Sequence, residues 1–267
     1  MRQRVITAAI GGSLFIVFLI LGGLWFALLI FLLAVLAYRE MIRMAGIPLF
    51  FAPSVLGLVF LLALFWSFLH DANLIQVSPL LIISTETLFV LFMVLFLFIT
   101  VVTKNRVTSD HLGPYLLAVF YIGIGFAQFV SARETEGLAF IFFVLLVIWA
   151  TDSGAYFIGR AFGKRKLCPS ISPNKTIEGS LGGIVFGLMG GVLIQFFTAP
   201  FVLYGEALSL ALLVSVASQA GDLIESALKR YYGVKDSGTL LPGHGGVLDR
   251  FDSLIFVFVL LFLLERF

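Results

Sequence analysis

The amino-acid sequence predicts an all-α polytopic membrane protein of about nine transmembrane helices, with the N-terminus cytoplasmic and the C-terminus outside. Three observations predict it. Hydrophobic residues make up 61% of the 267 positions and charged residues only 12%, against about a quarter charged in soluble domains. Apolar runs of roughly 20 residues, the length needed to cross about 30 Å of hydrocarbon, recur along the whole chain. Lys and Arg gather in alternate connections between those runs.

The runs fall near residues 5–22, 24–38, 50–69, 86–103, 113–131, 137–157, 176–198, 203–224 and 248–265. The first two are joined through Gly22-Gly23. Met1-Arg-Gln-Arg before an apolar run also has the charged and hydrophobic regions of a signal peptide, but no small-x-small cleavage site follows cleanly. With the N-terminus inside, all but Arg133 and Arg266 of the 17 Lys and Arg fall on the inner side, where positive residues are retained. That assignment places the loops 158–175 and 225–247 in the cytosol. Asn174-Lys175-Thr176 matches a glycosylation acceptor that would stay unmodified there. Residues 1–135 form a hydrophobic half with spans one to five, and 136–267 form the half that carries the polar motifs, spans six to nine. Cys168 is the single cysteine, which excludes an intramolecular disulfide, a Cys-rich zinc site and a Cys-x-x-Cys redox pair.

Ionisable groups within spans are costly and are functional candidates by default. Asp152 and Asp222 are expected near the C-terminal ends of spans six and eight, where the helix dipole disfavours negative charge and points to a cation or proton as their partner. Asp249 and Asp252 open span nine, where a capping acid is equally favoured. They are three apart and share a helical face, as Asp222, Glu225, Ser226 and Lys229 do if the eighth helix continues past the membrane. Carboxylates with so few His and a single Cys suit a hard divalent cation such as Mg²⁺ rather than zinc.

Two segments suit phosphate. Pro242-Gly243-His244-Gly245-Gly246 lets backbone N–H groups approach an anion and leads into a helix start, although glycine pairs there are often only a turn. Ser172-Pro173-Asn174-Lys175-Thr176 sits at the mouth of span seven, where a plain capped helix is the alternative. Gly159 to Lys164 lacks P-loop spacing. Lys164-Arg165-Lys166 suits anionic lipid headgroups and equally well a topology determinant. Gly179, Gly183, Gly187 and Gly191, every fourth residue, make a face for close helix contact, within the chain or in a homodimer.

Taken together, Ser226-x₂-Lys229-Arg230-x₄-Lys235-Asp236-x-Gly238-x₃-Pro242-Gly-His-Gly-Gly246-x₂-Asp249-Arg250-x-Asp252 resembles the signature of the phosphatidate cytidylyltransferases, or CDP-diacylglycerol synthases. Asp152-Ser-Gly-Ala-Tyr156 and Ser172 to Gly179 are similar to the same family, and the specific likeness covers about the C-terminal half of the chain. The resemblance implies the reaction CTP + phosphatidate → CDP-diacylglycerol + pyrophosphate in phospholipid biosynthesis. It implies Mg²⁺, at one or two divalent sites with room for a second, different cation. CTP, phosphatidate and membrane lipids would be the partners, with no nucleic acid.

On that reading Asp222 and Asp249, with Asp152 or Asp252, would hold metal. Lys175, Lys229, Arg230, Lys235 and Arg250 would neutralise phosphate charge. Ser172, Asn174, Thr176, Gly243, Gly245 and Gly246 would contact phosphates, and His244 ranks as a phosphate contact ahead of a general base. The rivals are a lipid kinase-like phosphotransferase and an ion-coupled transporter. The transporter predicts central charges and related halves, and neither is evident in the sequence.

Overall fold

The computed structural model describes residues 2–76, 78, 81–240 and 245–264, with side chains from residue 9 onward. Its helices are α1 (Arg2–Leu21), α2 (Gly23–Met44), α3 (Ala52–Asp71), α4 (Thr85–Val102), α5 (Ser109–Leu116), α6 (Ile122–Thr135), α7 (Gly137–Phe162), α8 (Ile177–Thr198), α9 (Tyr204–Tyr231) and α10 (Leu248–Leu263). One two-stranded antiparallel sheet, β1 (Lys166–Cys168) with β2 (Ser172–Thr176), lies between α7 and α8. Among the described residues seven helices are long and apolar enough to cross a membrane, with α5 and α6 counted as one. The chain is an all-α integral membrane protein. Of the two other expected spans, α1 has 20 residues and α10 has 16.

The chain packs as two compact units, Met1–Thr135 with Asp236–Arg250, and Glu136–Lys235 with Phe251–Phe267. In the first, α1 and α2 are separated by Gly22, whose φ of 64° is costly for other residues. The break orphans carbonyls at the end of α1. Arg133 of α6 fills them, donating from Nε to Leu19 O at 2.9 Å and from Nη2 to Ile20 O at 3.2 Å. Its neighbour Glu134 accepts from the Gly23 amide at 2.8 Å. The expected span 113–131 begins earlier, at Ser109, and contains a π-helical turn at Leu117–Tyr121 just after Pro114, which has no N–H to give the helix. Phe26, Tyr38, Phe65, Phe92, Phe96, Tyr115, Phe126 and Phe129 are fully buried around these helices. Between helices in lipid it is this close packing, rather than exclusion of water, that stabilises.

In the second unit α8 lies against α7 and α9 along its glycine face, so both neighbours of that face belong to the same chain. A Cβ on Gly179 would come within 2.8 Å of the Ala155 carbonyl, and one on Gly183 within 2.9 Å of the Thr151 carbonyl. On Gly187 it would strike both Ser215 Oγ and Thr151 Oγ1, which hydrogen bond to each other at 3.0 Å. The stretch expected as a loop at 158–175 is largely ordered. α7 runs on to Phe162, and the hairpin pairs Lys166 with Thr176 and Cys168 with Ser172. Glu178 ties its entry, accepting from the amides of Lys164 at 3.0 Å and Arg165 at 3.1 Å. Thr176 ends β2 and caps α8, its hydroxyl accepting from the Gly179 amide at 3.1 Å.

Candidate active site

The lengths of α7 and α9 correct one step of the sequence argument. Neither Asp152 nor Asp222 stands at a helix C-terminus, because α7 continues to Phe162 and α9 to Tyr231. Dipole repulsion falls off within the last turn and does not bear on either acid. Asp222 pairs with Lys175 of the same unit, and Asp152 stands near both.

Between α7, the hairpin, α8 and α9 lies a cavity of about 480 Å³, within the range of roughly 300–1,000 Å³ typical of small-molecule sites. Asp152, Tyr156, Gly159 and Arg160 line it from α7, Asn174, Lys175 and Thr176 from β2, Gly179 and Ser180 from α8, and Gln219 and Asp222 from α9. Lys175 Nζ lies 2.6 Å from Asp222 Oδ2, and Ser226 Oγ donates to Asp222 Oδ1 at 3.4 Å. Asp152 stands in the field of Asp222, Asp252 and Lys175. Gln219 is fixed by donating from Nε2 to the carbonyls of Ser180 at 3.3 Å and Ser215 at 3.1 Å.

Below this pair, the stripe Asp222, Glu225, Ser226, Lys229 stands on one uninterrupted helix. Asp252 of α10 comes close to it because Gly221 leaves room: a Cβ there would sit 2.8 Å from the Asp252 carbonyl. Ser253 Oγ donates to Ser218 O at 3.0 Å at the same crossing. Asp252 lies close to Glu225, which pairs with Lys229 at 2.8 Å and is only 3% exposed. Four acids and two lysines thus meet within this unit.

The first unit holds a second arrangement. Asp249 Oδ2 accepts from Ser237 N, Ser237 Oγ and Gly246 N, each at 2.8 Å. These are the contacts of a structural cap, one of the two uses its sequence position left open. Glu40 of α2 accepts from the Val247 amide at 2.9 Å on Oε1, and from the Leu248 amide at 2.9 Å and Ser237 Oγ at 3.1 Å on Oε2. It is 7% exposed.

Of the residues singled out in the sequence, Asp152, Asn174, Lys175, Thr176 and Asp222 come together around the cavity, and Asp252 and Lys229 join the acidic stripe beside it. Ser172 sits instead at the hairpin turn paired with Cys168, and Arg230 reaches Ile171 O at 3.4 Å. Lys235 is exposed. Gly245 adopts φ 84°, and the Gly246 amide is given to Asp249. Gly243 and His244 lie outside the described residues. Glu40 was missed because the second span was ended at residue 38; it falls on the stripe Ala37, Met41, Met44, all buried, where the helical pattern calls for an apolar residue. Tyr156, Arg160, Gln219 and Glu225 were missed as site residues, although Glu225 carried the right spacing.

The donor set, all carboxylate oxygen, has the chemistry of a Mg²⁺ site. Among the described residues no group of three or more His, Cys, Asp or Glu stands ready to hold a metal. The positive charges set against these acids are lysines: Lys175 on Asp222 and Lys229 on Glu225.

Comparison with known proteins identifies the family. Residues 2–267 match the model of the cytidylyltransferase family. The chain is similar to a phosphatidate cytidylyltransferase of Bacillus subtilis, 44% identical over 99% of this chain and 97% of the relative. It is also similar to proteins of the same name from Staphylococcus epidermidis, 43% identical, and Staphylococcus haemolyticus, 41% identical, each match covering 98% of this chain and 97% of the relative. From residue 2 to its last residue, then, the chain belongs to the cytidylyltransferase family.

Proposed function

We propose that this protein transfers CMP from CTP to phosphatidate, giving CDP-diacylglycerol and pyrophosphate at the membrane surface. The observation that carries the reading is the Lys175–Asp222 pair beside Asp152, in a ligand-sized cavity at the start of α8. The shared name of the relatives supports the same chemistry.

In the reaction a phosphate oxygen of phosphatidate attacks the α-phosphorus of CTP, and the bond to the β-phosphate breaks as pyrophosphate leaves. Both reactants are anionic, so catalysis is chiefly positioning and charge neutralisation. Lys175, with Arg160 on the cavity wall, neutralises phosphate, and Lys229, Arg230, Lys235 and Arg250 add positive charge. The amides at the start of α8 and Asn174 donate to phosphate oxygens. No general base is needed, because the attacking phosphate is already ionised.

Asp152, Asp222 and Asp252 are our ligands for Mg²⁺, with one or two divalent ions and a second, different cation in the proposal. Bound there, such an ion would supply Lewis-acid charge to the phosphates. Asp249, whose Oδ2 accepts from Ser237 and the Gly246 amide, orders Gly246 at the start of α10, and we assign phosphate contacts to Gly243, His244 and Gly245. The Lys and Arg distribution supports nine crossings, an inside N-terminus and a cytosolic opening of the cavity, where CTP arrives while acyl chains stay in the bilayer.

The test uses purified protein with phosphatidate and labelled CTP. Label from the α-phosphate should enter lipid, and label from the γ-phosphate should leave as pyrophosphate. Entry of γ-label into lipid would make the protein a lipid kinase instead.

A further inference from the structure

Ser237 and the residues Gly246, Val247 and Leu248 are held by two carboxylates from different parts of the first unit. Asp249 gathers Ser237 N and Gly246 N, Glu40, some 200 residues away in the chain, gathers Val247 N and Leu248 N, and the single proton of the Ser237 hydroxyl is shared between the two carboxylates, at 2.8 Å from Asp249 Oδ2 and 3.1 Å from Glu40 Oε2. Val247 and Leu248 open α10, where backbone N–H groups have no helical partner, and a buried carboxylate is the strongest acceptor for them. The fit is tight. A Cβ on Gly238 would come within 2.5 Å of Glu40 Oε1, and one on Gly246 would strike both Glu40 and Ser237 Oγ.

We propose that Glu40 is a positioning residue for catalysis: its buried carboxylate, by holding the Val247 and Leu248 amides and the Ser237 hydroxyl, sets the conformation of the described part of the signature segment in the first unit, Ser237 and residues 245–250, which includes Gly245, Gly246, Asp249 and Arg250. The inference rests on the proposed function for what the segment does, and on geometry alone for what Glu40 does to it. A lipid-facing or loop acid would not be buried on the apolar stripe of α2 with three donors converging on it. The burial of Glu40 is used up by the segment: Oε1 and Oε2 each face an amide, so neither orientation of a glutamine side chain could satisfy both.

The test is Glu40→Gln in the full-length chain in detergent, read by steady-state CMP transfer and by hydrogen exchange. The substitution turns one acceptor into a donor facing an N–H. We expect kcat to fall by about 10- to 100-fold, the range seen when support for a reacting group is removed, with KM for CTP changed less than about threefold. Amides of residues 245–250 should exchange faster, while those of α7–α9 stay as in the wild type. Ser237→Ala, which leaves both carboxylates and every backbone donor in place, should give a smaller loss of the same kind and keeps the test alive if the first variant does not fold. Wild-type kcat in either folded variant overturns the proposal, and so does faster exchange spread evenly over all helices. If the wild-type protein makes no CDP-diacylglycerol, the proposed function fails while the exchange measurement still decides whether Glu40 orders the segment.

Discussion

Lys175 Nζ and Asp222 Oδ2 lie 2.6 Å apart, joining a strand residue to the middle of a 28-residue helix. Lys175 is delivered by the residue count of the hairpin and Asp222 by the course of α9, so neither is placed by the other. Their meeting in a cavity that also contains Asp152 gives the second unit a charged centre, and the experiments below address it from several sides.

Replacing Asp222 by Asn keeps the shape of the side chain and removes the charge facing Lys175. CMP transfer should fall by at least about 100-fold, the size of effect found when one charged or hydrogen-bonding group is withdrawn from a transition state. The variant should still elute as folded protein, and activity near the wild-type level would remove Asp222 from the site.

Lys175→Met should raise KM for CTP and lower kcat together, because the ammonium is assigned to phosphate both before and during transfer. The pair also predicts coupling. The double variant Lys175→Met, Asp222→Asn should lose less than the product of the two single losses, since residues in one ion pair do not act independently.

Chelation should abolish CMP transfer and added Mg²⁺ should restore it, if the proposed carboxylate ligands hold the ion. Recovery with Zn²⁺ in place of Mg²⁺ would contradict the ligand assignment.

Gly187→Ala tests the seam of α8. The added methyl would meet the hydroxyls of Ser215 and Thr151, and overpacking of this kind costs about 1–3 kcal/mol. Thermal unfolding in detergent should occur at lower temperature. Gly205→Ala in the first turn of α9, where nothing lies within 4 Å, is the control and should not lower it.

Cys168, the single cysteine and partly exposed in β1, reports topology without any substitution. A membrane-impermeant thiol reagent should label it in inside-out vesicles and not in right-side-out ones. The reverse pattern would invert the proposed orientation.

Apolar length was enough to find the helices, because each span is a run that only a helix can place in lipid. It was not enough to end them. α9 passes Asp222 by two turns as the polar, charged stretch Glu225 to Arg230, where hydropathy stops counting, and α7 runs five residues beyond its expected end at 157, through Arg160. The same effect hid Glu40, which lies beyond the apolar part of α2 but on its buried stripe. Asp152, Lys175 and Asp222 were legible because charge stands out against greasy neighbours. The hairpin was not: strands of three and five residues, one containing Pro173, carry too little alternation to be seen.

Because Thr176 is at once the last residue of β2 and the cap of α8, no linker separates hairpin from helix. Lys175 takes its heading from that joint. One extra residue between them would part the Thr176 hydroxyl from the Gly179 amide and swing the whole hairpin, Lys175 included, about the axis of α8. The aim of the cavity's ammonium is therefore fixed by the length of this joint, and not by the transmembrane segments on either side of it.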